Sequence, residues 1–110
     1  MGTKTALGEF EHHVLLVALR LGDDAYTTPI LTELETRTGR EVSAAAVYIA
    51  LRRLERAGLV KSRLSRSSEL GETRERRYVR VTPTGIRLVR EARRRLENLW
   101  DGLTILAANR

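Results

Sequence analysis

In this 110-residue chain, arginine is the residue type whose number and placement could support a specific chemistry, the binding of anions. Twenty Lys and Arg residues stand against fourteen Asp and Glu residues, which gives a formal net charge of +6. Fifteen of the twenty basic residues, but only five of the fourteen acidic ones, lie between positions 52 and 95. Because guanidinium groups bind phosphate oxygens through paired hydrogen bonds, this concentration predicts a surface that binds a polyanion. The alternative is a solvated basic surface with no dedicated partner.

Residues that could carry catalysis are few and poorly spaced. His12 and His13 are adjacent, so they point to different sides of a helix and cannot share a metal ion. Asp23 and Asp24 precede a predicted helix start, where carboxylates are favoured without any catalytic role. The chain has no cysteine and no glycine-rich loop of the kind that holds a nucleotide phosphate. We therefore expect no enzyme activity, no metal site and no cofactor.

The composition fits a single globular domain, since 42% of the residues are hydrophobic and 31% are charged. No apolar run approaches the roughly 20 residues that a membrane-spanning helix needs. Lys4 is followed by Glu9 and Glu11, which interrupt any secretory signal. A chain without cysteine is compatible with a reducing compartment. We expect a cytoplasmic protein that makes no contact with membranes.

The elements that must position the arginines begin with three predicted helices. Apolar residues at helical spacing predict a first helix over 7–21. We expect Thr27 or Thr28 to cap the start of a second helix, and Gly39 to end it. A third helix is predicted over 43–57. Three helices in this arrangement form the unit on which helix-turn-helix DNA-binding proteins are built.

The third predicted helix has clear start and stop signals, because Ser43 can cap its first turn and Gly58 follows its end. Its apolar stripe consists of Val47, Leu51 and Leu54. The start of such a helix enters the major groove of DNA, and Tyr48 could bond a phosphate or a base edge, or lie half-buried over the helix. The residues that we expect at the DNA are Ser43, Ala44, Ala45, Tyr48, Arg52 and Arg53.

A basic β-hairpin is predicted to follow the third helix. Positions 59–66 and 76–82 alternate between apolar and polar residues like two half-buried strands. Residues 67–75 are predicted to form a turn-rich loop, too long for a tight hairpin turn, that could enter a narrow minor groove. The predicted fold class is therefore mostly α (α+β), with a winged helix-turn-helix over residues 1–82. The wing residues that we expect to contact DNA are Arg63, Arg66, Arg74, Arg76 and Arg77.

Residues 83–110 are predicted to form a long C-terminal helix that belongs to the same structural unit. Apolar residues repeat along it with the 3-4 spacing of a coiled-coil seam. We expect this seam to pair with the same helix of a second subunit, giving a homodimer; the alternative is packing against the first helix alone. The predicted interface residues are Val89, Ala92, Leu96, Leu99, Leu103 and Leu106.

Several short motifs, in this order and spacing, resemble the PadR family of bacterial transcriptional regulators. The similarity covers nearly the whole chain, and the single C-terminal helix is similar to the family's smaller subfamily. The resemblance implies a homodimeric winged-helix repressor that binds double-stranded DNA at a pseudo-palindromic operator. It also implies a small aromatic or lipophilic effector that releases the DNA. The motifs are Leu7-Gly8-Glu9-Phe10-Glu11, Leu21-Gly22, Ala25-Tyr26, Gly39-Arg40, Val42-Ser43, Val47-Tyr48, Arg53-Leu54-Glu55, Gly58-Leu59-Val60, Arg76-Arg77-Tyr78, Val81-Thr82 and Gly85.

Two departures from the family pattern concern the candidate DNA-binding surface. Thr27 stands where the family usually has glycine after Ala25-Tyr26. The family often has Gly-Thr-Leu-Tyr in the recognition helix, where this chain has Ala45-Ala46-Val47-Tyr48. The second change removes a hydroxyl group from the expected DNA face, so the base preference of relatives does not transfer to this chain.

Trp100 is the one tryptophan of the chain and stands beside the predicted seam. With its mate in a two-fold dimer it could bracket a flat apolar effector, in a pocket that includes Phe10 and Val14. Alternatively, its ring packs against the first helix.

A function from another class also fits this fold. Some winged-helix domains bind protein partners, and this chain could bind an acidic protein without reading an operator. The excess of basic residues over 52–95 favours DNA.

Overall fold

A computed structural model describes residues 7–69 and 72–103 of the chain, without the side chains of 67–69 and 72–74. The chain is mostly helical and carries a small antiparallel two-stranded sheet, which confirms the predicted fold class. None of the helices in the described part is long and apolar enough to cross a membrane. The elements are α1 (Glu9–Leu21), a 3-10 turn (Gly22–Asp24), α2 (Thr27–Thr38), α3 (Ala44–Arg56), β1 (Val60–Glu69), β2 (Glu72–Val81) and α4 (Pro83–Trp100).

One hydrophobic core holds α1, α2, α3 and the inner ends of the two strands together. Its largest fully buried side chains come from all of these elements except β2, which adds the buried Val79 and Val81. The Val79 N–H donates to the Ala25 carbonyl over 2.9 Å, which ties β2 to the segment before α2. Among the described residues, no polar or charged side chain is buried. The fully buried side chains are Val14, Leu15, Ile30, Leu34, Val47, Leu54 and Val60.

The ends of α3 follow the signals in its sequence. The Ser43 hydroxyl accepts a hydrogen bond from the Ala46 N–H over 3.0 Å, as expected of an N-cap. Gly58 adopts a φ of 78° just past the helix, and the Leu59 N–H donates back into the last turn. Gly39 ends α2 in the same left-handed region, with a φ of 71°. The length and direction of α3 are therefore fixed locally at both ends.

The predicted cap of α2 was wrong. Tyr26 occupies the N-cap position and makes no capping hydrogen bond, while Thr27 and Thr28 already lie in the first turn. The reason is a long-range constraint that competes with the local capping preference. The carbonyl of Ala25 pairs with the N–H of Val79, so the chain is already placed where it must turn into the helix.

The hairpin β1–β2, here called the wing, is longer than the sequence predicts. The two strands pair without interruption from Val60 opposite Val81 to Glu69 opposite Glu72. The prediction of a turn-rich loop over 67–75 was therefore wrong, since only two residues connect the strands. The outer half of the wing has a polar sequence and lacks the alternating pattern that the prediction used. Ladder hydrogen bonds between main chains do not require that pattern.

The start of α4 is attached to the end of α3. The Thr82 hydroxyl accepts from the Gly85 N–H over 3.1 Å and donates to the Gly58 carbonyl over 2.7 Å. Pro83 occupies the first turn, as predicted, where its missing N–H costs no hydrogen bond. The helix α4 therefore begins at a fixed point beside the wing.

The helix α4 ends earlier than predicted. Its last residue is Trp100, Asp101 leaves the helical conformation, and Gly102 has a φ of 83°. Leu103 therefore lies beyond the helix, although its spacing continues the seam, and Leu106 lies outside the described residues. A glycine just past the last helical residue is a common stop signal, and here it is stronger than the heptad spacing.

We expect Gly85→Ala to destabilise the fold. A Cβ at this position would overlap the Leu59 carbonyl oxygen and come within 2.7 Å of the Val81 side chain. Overpacking of this kind costs about 1–3 kcal/mol of unfolding free energy, which urea denaturation would measure. Thr84→Ala, at the exposed neighbouring position, should change this free energy by less than about 0.5 kcal/mol. Equal effects of the two substitutions would contradict the close contact at Gly85.

Candidate nucleic-acid interface

The helix α3 presents small and polar residues to solvent and buries the opposite face. Val47, Leu51 and Leu54 point into the core, as predicted. The exposed side carries Ser43, Ala44, Ala45, Tyr48 and, in the third turn, Arg52. The Tyr48 side chain is 49% exposed, and its hydroxyl accepts a hydrogen bond from Arg52. This face is exposed, as entry into a DNA groove requires.

The two adjacent arginines of α3 have different surroundings. Arg53 approaches Glu11 of α1, with 3.7 Å between guanidinium nitrogen and carboxylate oxygen. Arg52 instead donates to the Tyr48 hydroxyl over 2.9 Å, and its guanidinium lies 5.8 Å from the centre of that ring. The structure therefore places Arg52, and not Arg53, together with Tyr48 on the outer face.

A groove of about 620 Å³ runs between the start of α2, the outer side of α3 and strand β2. Two glutamates, Glu55 and Glu75, also reach it, so its basic character is tempered. The first turn of α2 has no side-chain cap and places backbone N–H groups at one end of the groove. Basic and hydroxyl side chains lining it include Thr27, Thr28, Tyr48, Arg52, Arg76 and Arg77.

Aromatic rings and guanidinium groups alternate where the wing meets α2. The rings of Tyr26 and Tyr78 pack edge to face, with 5.1 Å between their centres. The guanidinium of Arg63 lies 4.7 Å from the centre of the Tyr78 ring, and that of Arg76 lies 4.8 Å from the centre of the Tyr26 ring. Cation–π contacts of this kind hold arginines in place without neutralising their charge. Tyr26 was absent from the predicted site, since only its place in the Ala25-Tyr26 motif marked it.

The remaining wing residues of the predicted site are arranged along the hairpin. Arg77 donates to the Ser62 hydroxyl over 3.1 Å, close to α3. Arg66 lies farther out and pairs with Glu75 over 3.2 Å. The side chain of Arg74 is outside the described part of the structure. Arg76 and Arg77 thus line the groove beside α3, Arg63 lies over the Tyr78 ring, and Arg66 lies nearer the wing tip.

A second surface combines the exposed apolar residues of α4 and α1. Leu99 is 73% exposed and Trp100 is 55% exposed, whereas Val89, also predicted at the dimer interface, is buried in the core of its own chain. Ala92 is partly buried. Beside this surface lies a groove of about 420 Å³. We call the exposed residues the apolar face: Leu16, Leu19, Leu96, Leu99, Trp100 and Leu103.

The predicted pocket of Trp100, Phe10 and Val14 is not formed within one chain. Val14 is fully buried, and Phe10 lines a different groove beside α2 and the start of α3. Trp100 instead shares its groove with His12 and Leu16 on the other side of α1. The helical repeat explains the difference, because residues two positions apart lie on nearly opposite sides of a helix.

The described histidines and carboxylates carry no sign of a metal centre. No group of three or more His, Asp or Glu side chains comes together in the part of the chain that the structure describes. Partial burial lowers the pKa of His12 below its usual value, and the neighbouring His13 lowers it further. His12 is thereby favoured in its neutral form, as suits a residue beside the apolar face.

Comparison with known proteins agrees with this geometry. Residues 15–91 match the family model described as the transcriptional regulator PadR-like family. The crystal structure of a PadR family transcriptional regulator from Eggerthella lenta is 31% identical, with a TM-score of 0.64; the match covers 86% of this chain and 80% of that one. A transcriptional regulator from Clostridium thermocellum is 26% identical over 90% of this chain and 85% of that one, with a TM-score of 0.65.

A PadR-like transcriptional regulator from Bacillus cereus shares the fold, with 22% identity, a TM-score of 0.64, and coverage of 91% and 88% of the two chains. No functionally curated protein sequence matches the chain. The family match spans most of the chain and includes α2, α3 and the wing, the elements that build the basic groove. The chain belongs to the PadR-like family of transcriptional regulators, which are DNA-binding proteins and not enzymes.

Proposed function

We propose that this protein is a homodimeric transcriptional repressor that binds a pseudo-palindromic operator in double-stranded DNA. The observation that carries the proposal is the placement of the exposed start of α3 beside the basic groove. The helix start that would contact the bases and the side chains that would bind phosphates then lie on the same side of the molecule. Winged helix-turn-helix regulators need this combination, because phosphate contacts position the protein while base contacts provide specificity.

The start of α3 enters the major groove in this proposal. Ala44 and Ala45 let the helix backbone come close to the bases and can contact the methyl group of thymine. The Tyr48 hydroxyl oxygen already accepts a hydrogen bond from Arg52, so its own hydrogen is available for an acceptor. Together these two side chains present hydrogen-bond donors to a phosphate or to the acceptor edge of a base. Arg53, engaged with Glu11, contributes only to the surrounding positive potential.

The wing contacts the phosphate backbone of DNA on one side of α3. Its inner part carries Arg76 and Arg77 next to the groove and Arg63 over the Tyr78 ring, and Arg66 and Arg74 stand farther along the strands. An arginine near the tip suits a narrow minor groove, whose negative potential is enhanced. Glu69, Glu72 and Glu75 in the same region reduce the net charge, so the salt dependence should be moderate for this class of protein.

Dimerisation is proposed to occur through the apolar face. Residues 1–82 form the DNA-reading part and 83–110 the dimerisation part, although Gly85 and Val89 pack into the shared core. The leucine and tryptophan side chains of the apolar face are 39–73% exposed, and burying them favours association because it removes apolar area from water. A two-fold dimer would present two copies of α3 to successive major grooves, roughly 34 Å apart.

Release by an effector is proposed to depend on Trp100. Its exposed ring lies beside the groove that His12 and Leu16 line, on the surface that we assign to the dimer. A planar aromatic or lipophilic molecule bound between two such rings would change the spacing of the α3 helices. Because operator half-sites have a fixed separation, a changed spacing lowers DNA affinity.

Fluorescence anisotropy tests the proposal directly. The probe is a labelled duplex from immediately upstream of the protein's own gene, with a scrambled duplex of equal composition as the control. We expect tight binding that favours the native duplex, saturates at two chains per duplex, and weakens about a thousandfold between 50 and 200 mM salt. A planar lipophilic dye that quenches Trp100 should lower the anisotropy of the complex. Equal, weak binding to both duplexes would instead favour a winged-helix module that binds an acidic protein.

A further inference from the structure

A small basic cup lies between the last turns of α3 and the wing. It measures about 300 Å³ and is lined by Arg52, Glu55, Arg56 and Arg77. Arg52 and Arg56 are one helical turn apart, so they lie on the same side of α3. Three arginines thus line a space about ten times the volume of one water molecule. A single carboxylate, that of Glu55, accompanies them.

The charges of the cup are not neutralised by ion pairs. Among the residues that the structure describes, none of its three arginines forms a salt bridge, whereas arginines elsewhere pair with Glu or Asp, for example Arg53, Arg66 and Arg80. All three side chains are exposed. An anion entering the cup would therefore meet donors that no carboxylate already occupies.

The carboxylate of Glu55 helps to position Arg77 through the Ser62 hydroxyl. Ser62 donates its hydroxyl hydrogen to Glu55 over 2.7 Å and accepts from Arg77 over 3.1 Å. A hydroxyl has one hydrogen, so these two contacts fix its orientation. The result is a chain of hydrogen bonds from β2 through β1 to α3. It holds the guanidinium of Arg77 at the edge of the cup.

We propose that this cup binds one phosphate of the DNA backbone, with Arg52, Arg56 and Arg77 as its ligands. The proposal rests on the DNA binding proposed above and names a contact within it. The cup adjoins the larger groove, with which it shares Arg52, Glu55 and Arg77. The bound phosphate therefore flanks the base pairs that α3 reads. Glu55 and Ser62 are positioning residues that act through Arg77.

A phosphate contact has a signature that distinguishes it from a base contact. Phosphates are the same in every sequence, so losing the contact weakens binding to all duplexes by the same factor. Each neutralised phosphate also contributes about 0.9 to the slope of the logarithm of affinity against the logarithm of salt concentration. A symmetric dimer has two cups, so losing both should reduce the slope by about 1.8.

The decisive variant is Arg56→Gln, because Arg56 is exposed and its side chain forms no hydrogen bond or ion pair with the part of the chain that the structure describes. Its affinity for the native and scrambled duplexes would be measured by anisotropy between 50 and 300 mM salt. We expect equal fold-losses on both duplexes and a smaller slope, by up to about 1.8 if Arg52 and Arg77 do not hold the phosphate without Arg56. Arg94→Gln is the matched control, since it removes the same charge from the exposed side of α4. It should leave the slope unchanged.

An unchanged slope for Arg56→Gln, or a loss confined to the native duplex, would overturn the phosphate site. The scrambled duplex keeps this test separate from operator recognition. Equal wild-type affinity for both duplexes would contradict sequence-specific binding. The change in slope would still show whether the cup binds a phosphate. Wild-type protein that binds neither duplex at 50 mM salt would overturn both proposals.

Ser62→Ala tests the positioning role without changing any charge. We expect this substitution to weaken binding to both duplexes by the same severalfold factor. The slope of the logarithm of affinity against the logarithm of salt concentration should keep its wild-type value. Unchanged affinity would show that Arg77 does not need the hydrogen bond to Ser62. A reduced slope would assign the effect to a lost phosphate contact instead of to orientation.

Discussion

Leu99→Glu is expected to convert the protein from a dimer into a monomer and to lower its operator affinity about a hundredfold or more. Leu99 is 73% exposed in the single chain, the largest exposed fraction among the residues of the apolar face. In a two-fold dimer each subunit would place one carboxylate in the interface. Burying an unpaired carboxylate costs several kcal/mol, and every 1.4 kcal/mol reduces an association constant tenfold.

The loss of DNA affinity follows from the loss of the dimer. A dimer holds its second DNA-binding unit at a high effective concentration over the second half-site, which strengthens binding by about two to four orders of magnitude. A monomer keeps its own α3 and wing but lacks this advantage. It should therefore bind the native duplex weakly and with one chain per half-site.

Sedimentation equilibrium would measure the mass of the Leu99→Glu protein, and anisotropy would measure its affinity. Arg94→Gln provides the control, because it also lowers the charge by one unit but lies on the opposite side of α4 from the seam. It should remain dimeric. Circular dichroism at the same concentration checks that both variants keep their helices. A Leu99→Glu protein that stays dimeric and binds DNA normally would contradict the assigned interface.

The parts of the fold that were predictable depend on interactions close in sequence. The helix α3 is the clearest example, since its cap, its apolar stripe and the glycine past its end lie within sixteen consecutive residues. Each signal acts through the backbone of a neighbouring turn. Nothing distant is needed to place the helix. The start of α4 behaves in the same way, with Thr82 as its cap.

The errors arose where distant contacts or an absent pattern decided the structure. Ala25 pairs with Val79, far away in the sequence, and this contact set the start of α2 in place of a threonine cap. The outer wing continues its strand pairing through polar residues, which leave no alternating signal. For α4, the prediction followed the heptad spacing and overlooked Gly102, which ends the helix locally.

The candidate site was predictable in its location but not in its detail. The concentration of arginine placed it on α3 and the wing. It could not tell which arginines are held by carboxylates. Arg53 and Arg66 are drawn into ion pairs by Glu11 and Glu75, contacts that the folded chain creates. Arg56 was missed, because only the packing of the wing against α3 brings it together with Arg77.

Ala45→Glu is expected to reduce DNA affinity about a hundredfold relative to Ala45→Gln. Ala45 is exposed in the first turn of α3, the part that we propose lies closest to the bases. A carboxylate there would face the negative charge of DNA in a partly desolvated interface, and like charges in contact cost several kcal/mol. Glu and Gln have nearly the same size and shape, so their difference isolates the charge.

The same substitution should leave the fold intact or stabilise it slightly. A negative side chain in the first turn of a helix interacts favourably with the helix dipole, by about 0.3–1 kcal/mol. Ala45→Glu therefore separates stability from binding: its thermal midpoint should not fall while its DNA affinity does. Anisotropy on the native duplex and thermal unfolding of the free protein measure the two quantities. Equal affinity of the Glu and Gln variants would mean that the start of α3 does not enter the major groove of DNA. The basic groove of the protein would then contact only the phosphate backbone of DNA.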